Sequence, residues 1–290
     1  MVYRISNGLL SVSISQRGAE LMSIKDAHGK EFLWQGDPEF WSGRAPQLFP
    51  YIARLTEGTY TYQGKKYQMP IHGFAPTSSF QVSHQSEDAI TFTLEDNDSL
   101  YQMYPFHFLF SISYRLEGKS LHVEYSVSNK DQKTMYFAIG GHPGINLPLE
   151  DGLTFEDYQL DFSSDQMKRV EFSEDCFITG HDLPFPLKNS SLPLRHDLFD
   201  DDAIVLKNTP ESVTLRSKKG TCSVTLLAPD FPYWGFWHKP HTKAPYLCLE
   251  PWSALPSRQG IVEDFEKQED LTSLPPGQVH QRTWSLRFDS

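Results

Sequence analysis

The chain has 290 residues, of which 39% are hydrophobic and 13% aromatic, with a formal net charge of −11 and a pI near 5.4. That acidic balance excludes the basic footprint that nucleic acids and anionic membrane surfaces require, and it leaves a neutral small-molecule ligand open. No apolar run approaches the ~18 residues of a membrane span.

The opening residues, Met1-Val2-Tyr3-Arg4-Ile5-Ser6, lack the apolar stretch of a secretory signal. Cys176, Cys222 and Cys248 are odd in number and far apart. They offer neither a metal spacing nor a disulfide framework, which points to a reducing compartment and the cytoplasm. The length suffices to bury a large core without staples.

Leu10, Val12 and Ile14 alternate with serines, the period of a half-buried strand, and the pattern continues through Leu21 to Ile24. Asp26 to Lys30 has turn chemistry, and Glu31-Phe32-Leu33-Trp34 reads as the returning strand. Asp37-Pro38-Glu39-Phe40-Trp41 reads as one helical turn capped by Asp37. Tyr60 and Tyr62, then Gln63-Gly64-Lys65, then Tyr67 and Met69 form a hairpin. The longest alternation runs Phe106, Phe108, Phe110, Ile112, Tyr114, Leu116, turns at Glu117-Gly118-Lys119 and returns as Leu121, Val123, Tyr125, Val127.

Between 150 and 200 the pattern loosens, and Pro184, Pro186 and Pro193 suggest a long surface excursion. Strand patterns resume at 203–206, 213–215 and 224–226, and Trp284, Leu286 and Phe288 close the chain. Only 261–268 looks helical. There is no internal repeat and no compositional break that marks a linker. Many hairpin-joined strands and almost no helix predict a single all-β domain over 1–290, a large, mostly antiparallel β-sandwich.

Polar groups occupy odd settings at five places. His142 lies in Gly140-Gly141-His142-Pro143-Gly144, where a strand stops abruptly. A stiff sheet end is a useful mount for a proton donor. Arg54 interrupts the apolar run Leu48 to Leu55, His72 precedes Gly73, and Asp201 and Asp202 precede the apolar Ala203 to Leu206. Glu250 sits between Leu249 and Pro251 inside a strand-like segment. Burying such groups without partners costs several kcal/mol, so each needs a partner or a task. Arg54 is equally readable as the partner of a core carboxylate, and the two aspartates as turn residues.

The ordered set Leu-Phe-Pro…Arg54, His72-Gly-Phe, Gly-His142-Pro, Asp202-Ala and Cys-Leu-Glu250-Pro-Trp resembles the aldose 1-epimerase (galactose mutarotase) family, and its LacX-like branch most of all. The resemblance spans roughly residues 5–288. It implies a galactose mutarotase-like β-sandwich that holds a hexose in an open cleft and needs no cofactor or metal. By that likeness Glu250 is the general base on the anomeric hydroxyl, His142 the general acid on the ring oxygen, and His72 a hydrogen-bonding assistant. Arg54 and Asp202, or its neighbour Asp201, hold sugar hydroxyls. Two departures stand out: Gly144 occupies a position where the mutarotases carry an aromatic, and Phe74-Ala75 follows Gly73 where they carry a second glycine.

The chemistry asks for a carboxylate and an imidazole either side of the C1–O5 unit, one taking a proton and the other giving one. The expected geometry is a gap one pyranose wide, with the carboxylate ionised and the imidazole protonated by mutual attraction. Phe74, Trp34 or Trp252 would lie on the apolar face of the sugar. Two further readings share the fold: a hexose-6-phosphate mutarotase, for which Arg44 is the extra arginine near the cleft, and a sugar-binding protein without catalysis. A metal-dependent isomerase is disfavoured by the lack of a His-x-His pair. The expected partner is a small-molecule aldohexose, and the expected assembly a monomer or homodimer.

Overall fold

A computed structural model describes all residues from Met1 to Ser290. The chain is 47% strand and 7% helix, as the alternation predicts for an all-β fold. Two large sheets dominate. In the nine-stranded sheet the order is Ser191–Pro193, Tyr158–Phe162, Ser212–Ser217, Ser223–Leu227, Val279–Asp289, Ser120–Asn129, Phe108–Glu117, Ala89–Glu95 and Gln81–Gln85. In the eight-stranded sheet it is Ile178–Pro184, Lys168–Phe172, Ile204–Lys207, Tyr233–Trp237, Tyr246–Trp252, Gly140–Gly141 and Gln47–Leu48, with Gly144–Asn146 also on Tyr246–Trp252. The ladders between these strands are antiparallel.

The strongest sequence signal is realised as Phe108–Glu117 paired with Ser120–Asn129 across a two-residue turn. Its inward residues Leu121, Val123, Tyr125 and Val127 are fully buried. One apolar cluster of 74 residues runs from Ile5 to Phe288 and fills the space between the sheets. The Tyr125 hydroxyl reaches from the nine-stranded sheet to the Gly140 carbonyl of the other, at 3.1 Å.

Four local expectations are corrected. Residues 261–268 form turns, because Phe265 enters the core against Tyr51 and Tyr60 and its amide donates to the Thr61 carbonyl, while the Thr61 amide donates to the Glu263 carbonyl. The α-helix is Asp98–Met103, started by Asn97, whose side chain accepts from the Ser99 and Leu100 amides. The 150–200 stretch contributes four strands to the two large sheets, since Leu160, Phe162 and Val170 are buried. Glu31 to Trp34 makes only isolated bridges, Glu31 to Lys25 and Leu33 to Ile145. The Asp37 turn is a single turn, with the Trp41 amide bonded to the Asp37 carbonyl.

Candidate active site

The strand Tyr246–Trp252 is buried along its whole length. On one side it pairs with Gly140–Gly141 and Gly144–Asn146, through Gly140 with Trp252 and Gly144 with Cys248. That register sets His142 directly opposite Glu250. On the other side Gly235 is the partner of Glu250. A Cβ on Gly235 would lie 3.3 Å from the Glu250 Cβ and 3.2 Å from the Trp252 ring, so even a methyl there would crowd the glutamate.

Alternation then decides which way the pair points. A Cβ on Gly141 would strike Trp284 of the nine-stranded sheet at 2.8 Å, so Gly141 faces the sandwich interior. His142 therefore faces away from it, as does Glu250 across the ladder. Loops from elsewhere cover this outer face. The result is a cavity of about 220 Å³ walled by Trp41, Ala53, Arg54, Ile71, His72, His142, Asp202, Ala203, Trp237, Glu250 and Trp252. That is smaller than the ~300–1,000 Å³ of sites for drug-sized ligands, and it suits one small ring.

The expected gap between base and acid is corrected. His142 Nε2 lies 3.3 Å from Glu250 Oε2, in direct contact. Cross-strand neighbours on one face cannot stand a pyranose apart. Both are buried, Glu250 at 1% and His142 at 8% exposure, yet both line the cavity. Trp252 Nε1 donates to Glu250 Oε2 at 3.1 Å, while Glu250 Oε1 and His142 Nδ1 have no hydrogen-bond partner. The His142 ring sits among Trp41 at 4.9 Å, His72 at 5.5 Å and Trp237 at 5.7 Å between centroids.

The expected charge state is corrected too. Burial pushes the Glu250 carboxyl well above its ordinary range, and burial followed by the His72 ring pushes His142 well below. In both groups burial is the largest cause, and it favours the neutral form of the pair, with one proton shared between the carboxyl and the imidazole. His72 is lowered to about 4, by burial and then by Arg54. The Ala53 amide donates to His72 Nδ1 at 3.1 Å, which leaves Nε2 as the nitrogen that carries hydrogen.

Arg54 approaches Asp202 at 3.8 Å, both partly exposed. Ala53, His72 and Asp202, all on the wall, have φ of 54°, 65° and 77°. Left-handed backbone at three non-glycine wall residues is strain concentrated at one site.

Other candidates lie elsewhere. Asp201 is outside this cavity, on the rim beyond it. Phe74 is 2% exposed and packs on Phe49 and Phe108 in the core. Trp34 packs on Tyr246 and Phe40 and gives its Nε1 hydrogen to the Trp41 carbonyl. The Arg44 side chain lies against Gly36, away from the cavity.

The aromatics that do line it with Trp252 are Trp41 and Trp237, neither of which was singled out from the sequence. For Trp237 the signal was Tyr233-Trp-Gly-Phe-Trp237, a strand with glycine at its centre. Trp41 had none, being on an irregular loop. Its ring fills the space beside Gly144, where the mutarotases carry an aromatic. Cys248, two positions from Glu250 on the same face, brings its sulfur within 4.8 Å of donor atoms of His142 and Glu250, a trio that could hold a metal although its spacing along the chain matches no metal motif.

No helix is long and apolar enough to cross a membrane. Residues 1–287 match the sequence model of the family described as aldose 1-epimerase. The plasmid-borne protein LacX of Lactococcus lactis subsp. lactis is 33% identical over 298 residues, covering 99% of both chains. A structure described as a galactose mutarotase related enzyme from Lactobacillus acidophilus superposes with a TM-score of 0.94 at 36% identity, covering 100% of this chain and 98% of the other. One described as a galactose mutarotase-like protein from Lactobacillus casei gives 0.95 at 34% identity, covering 99% and 100%. On its fold, its ordered motifs and these relatives, the chain belongs to the aldose 1-epimerase family.

Proposed function

We propose that the protein interconverts the α- and β-anomers of a free aldohexose, with Glu250 as general base and His142 as general acid, as one domain and without a cofactor. The observation that carries this is the contact pair itself: a buried carboxyl and imidazole 3.3 Å apart on the wall of a ring-sized cavity.

The close contact suits the reaction better than a wide gap. O1 and O5 of a pyranose are bonded to the same carbon, so the groups that serve them must be neighbours. Glu250 takes the O1 proton and His142 gives one to O5, the C1–O5 bond breaks, and the open aldehyde rotates about C1–C2. Closure on the other face runs the two transfers in reverse.

Starting from the ionised pair, ring opening ends with Glu250 protonated and His142 neutral. That is the form burial favours, so the opening step returns the desolvation cost of forming the ionised pair. The ionised form is reached by moving one proton from Oε2 to Nε2 with no change in net charge, and sugar hydroxyls near the carboxylate supply the donors that water supplies elsewhere. His72, through Nε2–H, assists at the ring oxygen. Arg54 and Asp202 hold hydroxyls, and Trp41, Trp237 or Trp252 lies on the apolar face of the ring. The three free thiols suit a reducing, cytoplasmic compartment.

Polarimetry on freshly dissolved α-glucose and α-galactose tests this. Glu250→Gln is expected to lower kcat by roughly 10²–10⁴, the worth of one positioned proton transfer, while sugar binding largely survives. A chelator such as EDTA is expected to leave the wild-type rate in place. A wild-type rate in the variant means that the base is elsewhere; no catalysed mutarotation by the wild type, with measurable sugar affinity, leaves a sugar-binding protein.

A further inference from the structure

The cavity around Glu250 does not end at its mouth. Arg54, Asp202 and Trp237 also line a second, open cavity of about 660 Å³. Its far wall comes from Arg169 and Glu171 on the strand Lys168–Phe172, with Asp201 on the rim. The outer space is three times the inner one (660 against 220 Å³), ample for another sugar ring.

Ring chemistry fixes what reaches it. C1 must lie at Glu250 and His142. C4 is across the ring from C1, and O6 hangs from the neighbouring C5. With the ring seated this way, its far side faces the residues that the two cavities share, Arg54, Asp202 and Trp237, and a substituent on O4 enters the outer cavity. The lining there carries five carboxylates (Glu171, Glu174 and Asp200 to Asp202) against two guanidiniums, Arg54 and Arg169. An excess of negative charge repels a phosphate on O6. A neutral ring has hydroxyls that donate to carboxylates and accept from guanidiniums, and the Trp237 ring offers it an apolar face. Arg54 is paired with Asp202, whereas Arg169 takes part in no ion pair and keeps its donors for a ligand.

Resting on the anomerase reading of the inner site, we propose that the preferred substrate is a reducing disaccharide: an aldose unit at Glu250 and His142, and a second, neutral ring in the outer cavity against Arg169, Asp201 and Trp237.

The test compares kcat/KM for mutarotation of glucose, maltose, cellobiose and glucose 6-phosphate, in wild type and in Arg169→Ala. At least one disaccharide is expected to exceed glucose by roughly tenfold, a gain of one modest set of contacts, with glucose 6-phosphate below glucose. Arg169→Ala is expected to lower the disaccharide value by roughly tenfold and the glucose value by about twofold or less. Disaccharides no better than glucose, or glucose 6-phosphate preferred over all, would overturn the proposal. Calorimetric binding of the same sugars separates its failure from that of the inner-site reading. If no sugar is turned over, that reading fails, yet tighter binding of a disaccharide than of glucose upholds the outer subsite. Equal or weaker binding removes it.

Discussion

Two kinds of structure meet at the cavity. Glu250, His142 and Gly235 lie on three neighbouring segments of one sheet, placed by ladder register. Arg54, His72, Asp202 and Trp41 come from loops, three of whose wall residues hold left-handed backbone. The sheet fixes the proton-carrying atoms to the precision of a hydrogen-bonded ladder. The loops close over them and decide what fits. Chemistry on rigid strands and selection on loops is a division that lets a fold keep one reaction while changing its substrate.

That contrast can be broken at several points. The largest effect is expected at the sheet: His142→Asn should cost roughly 10²–10⁴ in kcat with KM little changed, read by polarimetry, and a loss confined to KM would move His142 to the binding side. Next comes the loop side. Arg54→Ala should raise KM by roughly 10–100-fold through loss of a charge-assisted hydrogen bond, with kcat within a few-fold. If kcat falls instead, the loop takes part in the chemistry.

A smaller effect is expected at Gly235→Ala. Its methyl would press on Glu250 and Trp252 and should reduce kcat by roughly tenfold in a protein whose circular dichroism is unaltered, because misplacement by a fraction of an ångström suffices. An unchanged kcat would show that the glutamate has slack.

The mildest signature is in pH. The working pair holds one proton. It gains a second only below the depressed value of His142 and loses its last only above the raised value of Glu250. kcat/KM should therefore be flat through neutrality, with no inflection near the ordinary imidazole value of about 6.5. An inflection there would mean an imidazole in contact with water.

The same division explains what could be read from one dimension. Phe106 to Val127 announced its hairpin because polar and apolar residues alternate without a break, and Glu250 stood out because a carboxylate between Leu249 and Pro251 has no packing rationale. The 3.3 Å contact with His142 was not legible, because register between distant strands is set by long-range pairing that local pattern does not encode. Nor were the loops. Phe74 and Trp34 had the right chemistry for a sugar face, but burial took them into the core and behind Trp41. Trp41 and Arg169 reached the cavities from segments whose path only the folded chain defines.

The close approach of Trp284 to Gly141 ties the last strand to the proposed site. Trp284 rests where a side chain at 141 would be, beneath the residue that precedes His142. The indole is thus the anvil under the imidazole. Trimming it, as in Trp284→Leu, would open a void under the glycine next to His142, so a residue on the opposite sheet bears on how firmly the imidazole is held.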